Sequence, residues 1–353
     1  MSRFLSDRFS SLKEYVPGEQ PMDMAYIKLN TNESPYPPPP GVIAALSGSE
    51  LRKLNLYPNP EGARLIKRIA EFYGTARENV IIGNGSDELL AFAFLAFCDS
   101  RRGAAFPDIT YSFYPVYAEL YGIPYTQIPL MEDFTINPSD YCGIGKNIVI
   151  ANPNAPTGAA LPLGDIEAIV QTNPGHIVLI DEAYVDFGAQ SAIPLTHIYD
   201  NLLVIHTYSK SRSMAGARMS FAIAPEPIIG DMNEMKFSFN PYNVNRLTQI
   251  MGEAALDEEE YYTEKRQEIV ATRAYTEAKL RELGFMMTDS KANFVFARRP
   301  GLGGHELYAA LKERGILVRH WDKPRISDYI RITIGTKEQM EALIDALTAI
   351  IAK

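Results

Sequence analysis

The chain has 353 residues, of which 46% are hydrophobic and 22% charged, as in globular proteins that bury a large core and can form two domains. Its net charge of -9 argues against a general nucleic-acid binder, which carries a basic face. The two cysteines, Cys98 and Cys142, are too few for a disulfide framework, which favours a reducing cytoplasm, and they show no metal-ligand spacing. The sequence contains no apolar run of about 20 residues, the length that would predict a membrane span.

The first 40 residues predict an extended arm. Four consecutive prolines, Pro37 to Pro40, make a stiff crossing and disfavour a helix. A disordered tail is the alternative, but the apolar residues Tyr15, Val16 and Leu29 favour an arm that docks, and we expect it to pack with a smaller second domain.

Residues 41–245 are expected to form a large domain. Short apolar runs at roughly 80–82, 104–107, 125–129, 147–151, 176–180 and 202–206 alternate with helical patterns. Alternation of this kind is typical of a doubly wound α/β sheet. A further strand at 220–224 is predicted to run antiparallel or to lie at an edge.

The pattern changes towards the end of the chain. A charged helical stretch covers residues 253–283 and stops at Gly284, and shorter strands and helices follow it. We predict that residues 246–353 form a smaller α+β domain, with boundaries good to several residues.

Polar residues cluster where two of the apolar strands end. Asp181 and Tyr184 follow the first, Ser209 and Lys210 follow the second, and Arg218 comes eight residues after Lys210. In parallel sheets ligands bind beyond the carboxyl ends of the strands. An acid, an amine and a guanidinium meeting there suit pyridoxal 5'-phosphate (PLP), which has a basic ring nitrogen, an aldehyde and a phosphate.

A glycine-rich turn at residues 83–87 lies between a predicted strand and a helix start. Free backbone N–H groups and the helix dipole make such a turn an anion site. Taken alone the signal is weak, because a glycine turn that merely caps a helix is common and the spacing differs from that of nucleotide-binding loops.

The spacing of Asp181, Tyr184, Lys210 and Arg218 resembles that of fold-type I PLP-dependent aminotransferases. Further segments are similar to the histidinol-phosphate aminotransferase family. They are residues 15–18, 29–33, 83–87, 241–245, 292–294, 315–319 and 329–335. The resemblance implies an α/β fold of the PLP-transferase fold type I, with a mostly parallel seven-stranded sheet in the large domain and a smaller α+β domain.

The resemblance, together with physical requirements, implies three catalytic residues. Lys210 would form the Schiff base and carry the proton, since a lysine becomes nucleophilic when its pKa is depressed in a buried cationic site. Asp181 would pair with the pyridinium nitrogen and keep the ring able to accept electrons. Tyr184 would hydrogen-bond the phenolic oxygen of the ring.

Other residues are expected to hold the cofactor. Arg218 and Ser209, with the amides of Ser86 and Asp87, would bind its phosphate. Tyr111 would stack on the ring. Tyr57 would reach the cofactor phosphate of a neighbouring subunit, which requires a homodimer.

One position departs from the family pattern. Relatives have an asparagine immediately before the Pro-Thr-Gly sequence, where it donates to the phenolic oxygen, but this chain has Ala155 there and Asn154 one residue earlier. We expect Asn154 to reach that oxygen through a shifted loop; the alternative is that the contact is absent.

Substrate contacts are also implied. Arg331 would bind the α-carboxylate, or an equivalent anion, as a bidentate fork. Arg319 and Asn32 would help with a distal phosphate. For both arginines, solvation at a strand edge is the alternative.

The expected activity is amino transfer between L-histidinol phosphate and 2-oxoglutarate, giving imidazole acetol phosphate and glutamate in histidine biosynthesis. The same fold leaves open a threonine-phosphate decarboxylase or an aromatic or broad-specificity aminotransferase. A non-catalytic PLP-sensing module is an alternative of another class, and we expect no DNA-binding segment before residue 40. The expected partners are an amino donor, a keto acid and a second copy of the chain, with no nucleic acid, membrane or metal.

Overall fold

A computed structural model describes residues 3–9 and 12–352. The strands are β1 (Ile27–Lys28), β2 (Val80–Asn84), β3 (Ala104–Pro107), β4 (Tyr125–Ile128), β5 (Asn147–Ala151), β6 (Val178–Asp181), β7 (Leu202–Thr207), β8 (Met219–Ile223), β9 (Met286–Met287), β10 (Phe294–Arg298), β11 (Ile316–Leu317), β12 (Arg319–His320) and β13 (Tyr329–Thr333). The α-helices are α1 (Pro40–Ala45), α2 (Gly48–Leu51), α3 (Ala63–Tyr73), α4 (Ser86–Phe97), α5 (Phe113–Tyr121), α6 (Leu163–Thr172), α7 (Glu226–Phe239), α8 (Arg246–Ala255), α9 (Glu259–Glu282), α10 (Gly304–Glu313) and α11 (Lys337–Ile351).

Seven strands form the main sheet, in the order β2-β8-β7-β6-β5-β3-β4. Strands β3 to β7 pair in parallel, whereas β8 runs antiparallel to both of its neighbours, β2 and β7. The predicted α/β class with a mostly parallel seven-stranded sheet is confirmed. The strand near residue 220 is antiparallel, as one prediction had it, but it lies inside the sheet and not at an edge.

Central strands β5, β6 and β7 are buried along their whole length, because helices cover both faces of the sheet. Alternate side chains enter two separate cores. Ile148, Ile180 and Val204 face one, and Val149 and Leu179 face the other. The carboxyl ends of these parallel strands lie side by side at one end of the sheet.

A second, antiparallel sheet has the order β12-β13-β10-β9. Helices α10 and α11 pack on it around a third core. The arm joins this part of the molecule, because β1 pairs in parallel with β11 and Leu29 is buried in the third core.

The long helical stretch predicted at 253–283 is two helices, α8 and α9, with a break between them. Residues Ala255, Leu256 and Tyr262 belong to a core of the main sheet, whereas Ile269 belongs to the core of the second sheet. The change from one core to the other therefore falls inside α9, and α8 packs towards α3 and β8 of the main sheet.

Within residues 3–9 and 12–352, no helix combines the length and apolarity that a membrane span requires.

Candidate active site

A cavity of about 710 Å³ lies at the carboxyl ends of the central strands, between the two sheets and the arm. Most of the residues predicted for the site line it. They are Asn32, Ser86, Asp87, Tyr111, Asp181, Tyr184, Ser209, Lys210, Arg218, Arg319 and Arg331. Two predicted residues, Tyr57 and Asn154, are not among the lining residues.

Asp181 is the last residue of β6 and its side chain is buried. One carboxylate oxygen accepts a hydrogen bond from Tyr114 Oη at 2.9 Å, and the other accepts one from the Ala183 N–H at 3.3 Å. Both donors are uncharged, and burial raises the pKa of Asp181 to about 6. A ligand that brings a positive N–H to this carboxylate would relieve the desolvation.

Lys210 lies in the turn after β7, and its Nζ donates to the carbonyl of Thr31 at 3.1 Å. Burial, followed by the positive charge of Arg331, lowers the pKa of Lys210 to about 8. A larger share of the amine is therefore neutral near pH 7 than for a solvated lysine, which makes it a better nucleophile.

An anion cradle surrounds the start of α4. Arg218 Nη2 lies 3.1 Å from Asp87 Oδ2, and Tyr111 Oη donates to Asp87 Oδ1 at 2.7 Å. Gly85 precedes the helix with φ +81°, and a Cβ there would lie 2.2 Å from Arg218 Nη2. With the guanidinium placed as it is, a Cβ at this position would overlap it, so the glycine leaves the helix start close to a cation, which suits a phosphate.

Ser209 completes this end of the cavity. Its N–H donates to Thr207 Oγ1 at 3.1 Å, and its hydroxyl accepts from the same Oγ1 at 2.9 Å. Because its own hydroxyl hydrogen is then directed elsewhere, Ser209 can donate to an anion in the cavity.

Asn154, which we expect to contact the cofactor, has its side chain hydrogen-bonded to neighbouring groups in the structure. The buried Asn154 amide donates to the Ile109 carbonyl at 2.9 Å and to Thr157 Oγ1 at 3.0 Å, while its oxygen accepts from Thr110 Oγ1 at 2.8 Å. The side chain is used within its own loop, and Ala155 faces the cavity instead.

Arg331 and Arg319 form the other end of the cavity. Arg331 donates to the Asn30 carbonyl at 3.0 Å, and its Nε is buried with no partner in the described part of the chain. Arg319 donates to the carbonyls of Val16 and Pro17 at 2.8 and 3.0 Å. All of these acceptors are uncharged, so this end retains positive charge that suits an anionic substrate.

Asn32 lines the cavity and also contacts another residue of the site. Its side-chain amide donates to Tyr184 Oη at 2.9 Å, so it contacts a predicted catalytic residue directly. Tyr57 lies on the surface, 77% exposed, and stacks on Tyr242 with ring centroids 4.5 Å apart.

Sequence reasoning missed several residues of the site. Tyr114 donates a hydrogen bond to Asp181. The backbone carbonyls of Asn30 and Thr31 accept hydrogen bonds from Arg331 and Lys210, respectively. The Trp321 ring lies 5.4 Å from the Arg319 guanidinium and 5.1 Å from that of Arg331. Tyr114 lies in the first turn of α5, three residues after the predicted site residue Tyr111, and this closeness in the chain is the signal that could have identified it. Backbone carbonyls carry no such signal.

Comparison with known proteins agrees with this geometry. Residues 25–347 match the family described as aminotransferase class I and II. Proteins named histidinol-phosphate aminotransferase are 49% identical in Brachyspira hyodysenteriae, over 99% of each chain, and 50% identical in Marinomonas sp., over 98% of this chain and 99% of the relative. The crystal structure of histidinol-phosphate aminotransferase from Sinorhizobium meliloti in complex with pyridoxal-5'-phosphate shares the fold, with a TM-score of 0.88 at 22% identity over 99% of each chain. With a family match over most of its length and full-length relatives at about half identity, the chain belongs to the class I and II aminotransferases and, within them, to the histidinol-phosphate aminotransferase family.

Proposed function

We propose that the protein transfers the amino group of L-histidinol phosphate to 2-oxoglutarate, giving imidazole acetol phosphate and glutamate. The main support is sequence identity of about one half, over nearly the full length of the chain, to proteins named histidinol-phosphate aminotransferase. The charge distribution of the cavity supports the assignment, because the Asp181 carboxylate, the Lys210 amine and several arginines line it together.

The residues present fit PLP as the cofactor. Asp181 would hold the ring nitrogen, and the cradle of Arg218, Ser209 and the α4 N-terminus would hold the phosphate. Tyr111 would lie against the ring. Bound there, PLP supplies an aldehyde that takes up amino groups and a ring that accepts electrons.

The remaining chemistry belongs to side chains of the chain itself. Lys210, whose pKa is lowered to about 8, takes the proton from the carbon that carries the donor's amino group and returns it during the exchange. Arg331 binds the carboxylate of the keto acid or an equivalent anion of the donor, and Arg319 binds the distal phosphate. Both substrates use one site in turn, which predicts ping-pong kinetics.

We further propose a homodimer in which Tyr57 reaches the cofactor phosphate of the neighbouring subunit. Its exposure outside its own cavity supports this role. We also propose that the chain is divided into an arm, a large domain and a small domain, and that the two domains meet within α9. We further propose that the protein acts in the cytoplasm, where the free thiols of Cys98 and Cys142 would stay reduced.

A half-reaction screen tests the proposed reaction. The PLP-loaded enzyme is mixed in turn with histidinol phosphate, phenylalanine and threonine phosphate, and the loss of the visible absorbance band and the release of carbon dioxide are followed. We expect the fastest loss with histidinol phosphate and no carbon dioxide. Carbon dioxide from threonine phosphate would point to a decarboxylase, faster reaction with phenylalanine to an aromatic aminotransferase, and no reaction with any donor to a PLP-sensing module.

A further inference from the structure

Position 155 leaves one hydrogen-bond donor missing from the cofactor site. Ala155 is buried against Ala292 and Phe294 and has no polar side-chain atom. Asn154 cannot replace it, because its amide is used within its own loop. Tyr184 is thus left without the neighbouring donor that the family pattern supplies.

Asn32 occupies a tightly determined position beside Tyr184. It is 1% exposed and takes a left-handed backbone conformation with φ +57°. Its N–H donates to Thr333 Oγ1 at 3.0 Å, and its carbonyl accepts from Asn293 Nδ2 at 3.0 Å. Thr333 in β13 and Asn293, which directly precedes β10, therefore hold this arm residue in place.

The hydroxyl of Thr333 determines which end of the Asn32 amide faces Tyr184. Thr333 Oγ1 accepts from the Asn32 N–H, and its own hydrogen is donated to Asn32 Oδ1 at 3.0 Å. With the oxygen of the amide fixed on Thr333, the Nδ2 group is directed to Tyr184 Oη at 2.9 Å.

Tyr184 is constrained by this contact. Its ring packs edge-on against Phe294 at 5.1 Å, and Lys210 Nζ lies 5.8 Å from its ring centre. A phenol oxygen that accepts a hydrogen bond from an amide must direct its own hydrogen elsewhere. Because Tyr184 lines the cavity, that hydrogen is available to an acceptor there.

We propose that Asn32 is a positioning residue, which orients the Tyr184 hydroxyl so that Tyr184 donates to the phenolic oxygen of the cofactor. Asn32 thereby compensates for the asparagine that is absent at position 155. The inference rests on the proposed function, since it assumes PLP in the cavity.

The test measures how pH changes the visible absorbance of PLP linked to Lys210, without any substrate. A hydrogen bond donated to the phenolic oxygen favours its ionised form, so loss of the bond raises the pH midpoint of the titration. We expect Tyr184→Phe to raise the midpoint by about 0.5 to 1 pH unit. Asn32→Gly, which tolerates the positive φ, should raise it by a smaller amount.

The double variant separates positioning from a general structural effect. If Asn32 acts through the Tyr184 hydroxyl, Asn32→Gly adds nothing in the Tyr184→Phe background. Thr333→Val, which removes the group that orients the amide, should shift the midpoint in the same direction as Asn32→Gly and serves if that variant fails to fold. The charged groups acting on Lys210, namely Arg331, Glu33, Asp87 and Arg218, are unchanged in all variants.

An unchanged pH midpoint in Asn32→Gly would overturn the inference, and Thr333→Val takes its place if the glycine variant does not fold. The inference would also be overturned if Asn32→Gly shifted the midpoint equally in the wild-type and Tyr184→Phe backgrounds. A wild-type protein with no visible band after incubation with PLP would instead overturn the proposed cofactor, so the two failures are distinguishable.

Discussion

At the scale of single residues, the site is defined by two buried ionisable groups with opposite perturbations. Burial raises the pKa of the Asp181 carboxyl to about 6 and, with Arg331, lowers that of the Lys210 amine to about 8. In each case the neutral form is favoured. The hydrogen bonds that they receive or make involve uncharged partners, so both groups keep their reactivity for a ligand.

Replacement of Asp181 by asparagine should separate stability from activity. The raised pKa means that the carboxyl stabilises the fold at low pH and that this contribution is lost as pH rises through about 6. In the cofactor-free protein at pH 8, Asp181→Asn should therefore raise the free energy of unfolding by on the order of 2 kcal/mol. Turnover of the PLP-loaded enzyme should fall by about 100-fold or more, since ring protonation loses its counter-charge.

Urea unfolding at pH 5 and pH 8 checks the stability part of this prediction. At pH 5 the carboxyl is mostly protonated in the folded protein but still ionised in the unfolded chain, so the advantage of the variant should be smaller than at pH 8 and should vanish only below about pH 4. A variant less stable than wild type at pH 8 would contradict the assigned burial cost.

The attachment of PLP to Lys210 should depend on pH in a defined direction. Only the neutral amine attacks an aldehyde, so the attachment rate should rise with pH up to about 8 and level off above it. Stopped-flow absorbance measures the rate. Lys210→Ala should keep the circular dichroism of the fold and yield no covalent product after borohydride reduction. A labelled peptide elsewhere in the chain would count against Lys210.

At the scale of elements, the strands that carry the proposed catalytic residues are joined on the face opposite to Asp181. His206 on β7 lies 2.6 Å from Glu182, which directly follows β6. Glu182 also accepts hydrogen bonds from the Ser191 hydroxyl and the Ala192 N–H, both at 2.6 Å. Side chains alternate along a strand, so Asp181 points to the cavity and Glu182 into this buried network.

Loss of the Glu182 charge should destabilise the sheet in a pH-dependent way. Burial opposes the charged form of His206, but the hydrogen bond and charge of Glu182, with Asp186, raise its pKa above the usual value despite the positive charge of Arg212. The stabilisation is full below about pH 6.5 and is lost as pH rises through the higher folded-state pKa. Glu182→Gln should lower the free energy of unfolding at pH 6 by on the order of 3 kcal/mol.

Denaturant titrations of both proteins at pH 6 and pH 9 measure this effect. The difference between them should shrink at the higher pH, because less of His206 is protonated there. An equal difference at the two values would show that Glu182 acts only through its bonds to Ser191 and Ala192.

The arm is a structural part of the site. Its carbonyls receive Arg319 from β12, Arg331 from β13 and Lys210 from the turn after β7. A segment of irregular backbone thus orients three cations from two different sheets.

Removal of the Arg319 charge should affect phosphate-bearing donors selectively. Arg319→Met keeps a long side chain near Trp321 but loses the guanidinium. We expect KM for histidinol phosphate to rise roughly 10- to 100-fold, with a smaller change for phenylalanine. Equal increases for both donors in steady-state kinetics would indicate that the variant disturbs the arm and not phosphate binding.

At the scale of the whole molecule, exposed apolar side chains near Tyr57 mark a surface suited to association. Leu54, Leu56 and Tyr57 are each more than half exposed. Grouping of large apolar side chains at the surface is typical of protein interfaces. The proposed homodimer would cover them.

Mixing two inactive variants tests whether active sites are shared. Lys210→Ala lacks its own amine, and Tyr57→Ala would lack the residue supplied to the partner. A mixed dimer would contain one site with both residues intact, so unfolding and refolding the two variants together should restore activity. Each variant refolded alone is the control, and a mixture no more active than the controls would argue against a shared site.

The sequence by itself determined the class of the fold and the chemistry of the main side chains. Buried strands followed by Asp181, Lys210 and Arg218 predict a parallel sheet with a PLP site at its carboxyl edge, because strand periodicity and residue type are local properties of the chain. The positions of the strands in the main sheet agree to within a few residues for the same reason.

Only the tertiary structure decided which groups touch. The bond between Asn32 and Tyr184, the engagement of Asn154 within its own loop, and the carbonyls of the arm that receive cations involve residues far apart in the chain, or backbone atoms that every residue has. The packing of α8 against the main sheet likewise depends on which apolar face lies nearest once the chain has folded. Contacts of this kind arise from three-dimensional packing, which a linear pattern of residue types does not specify.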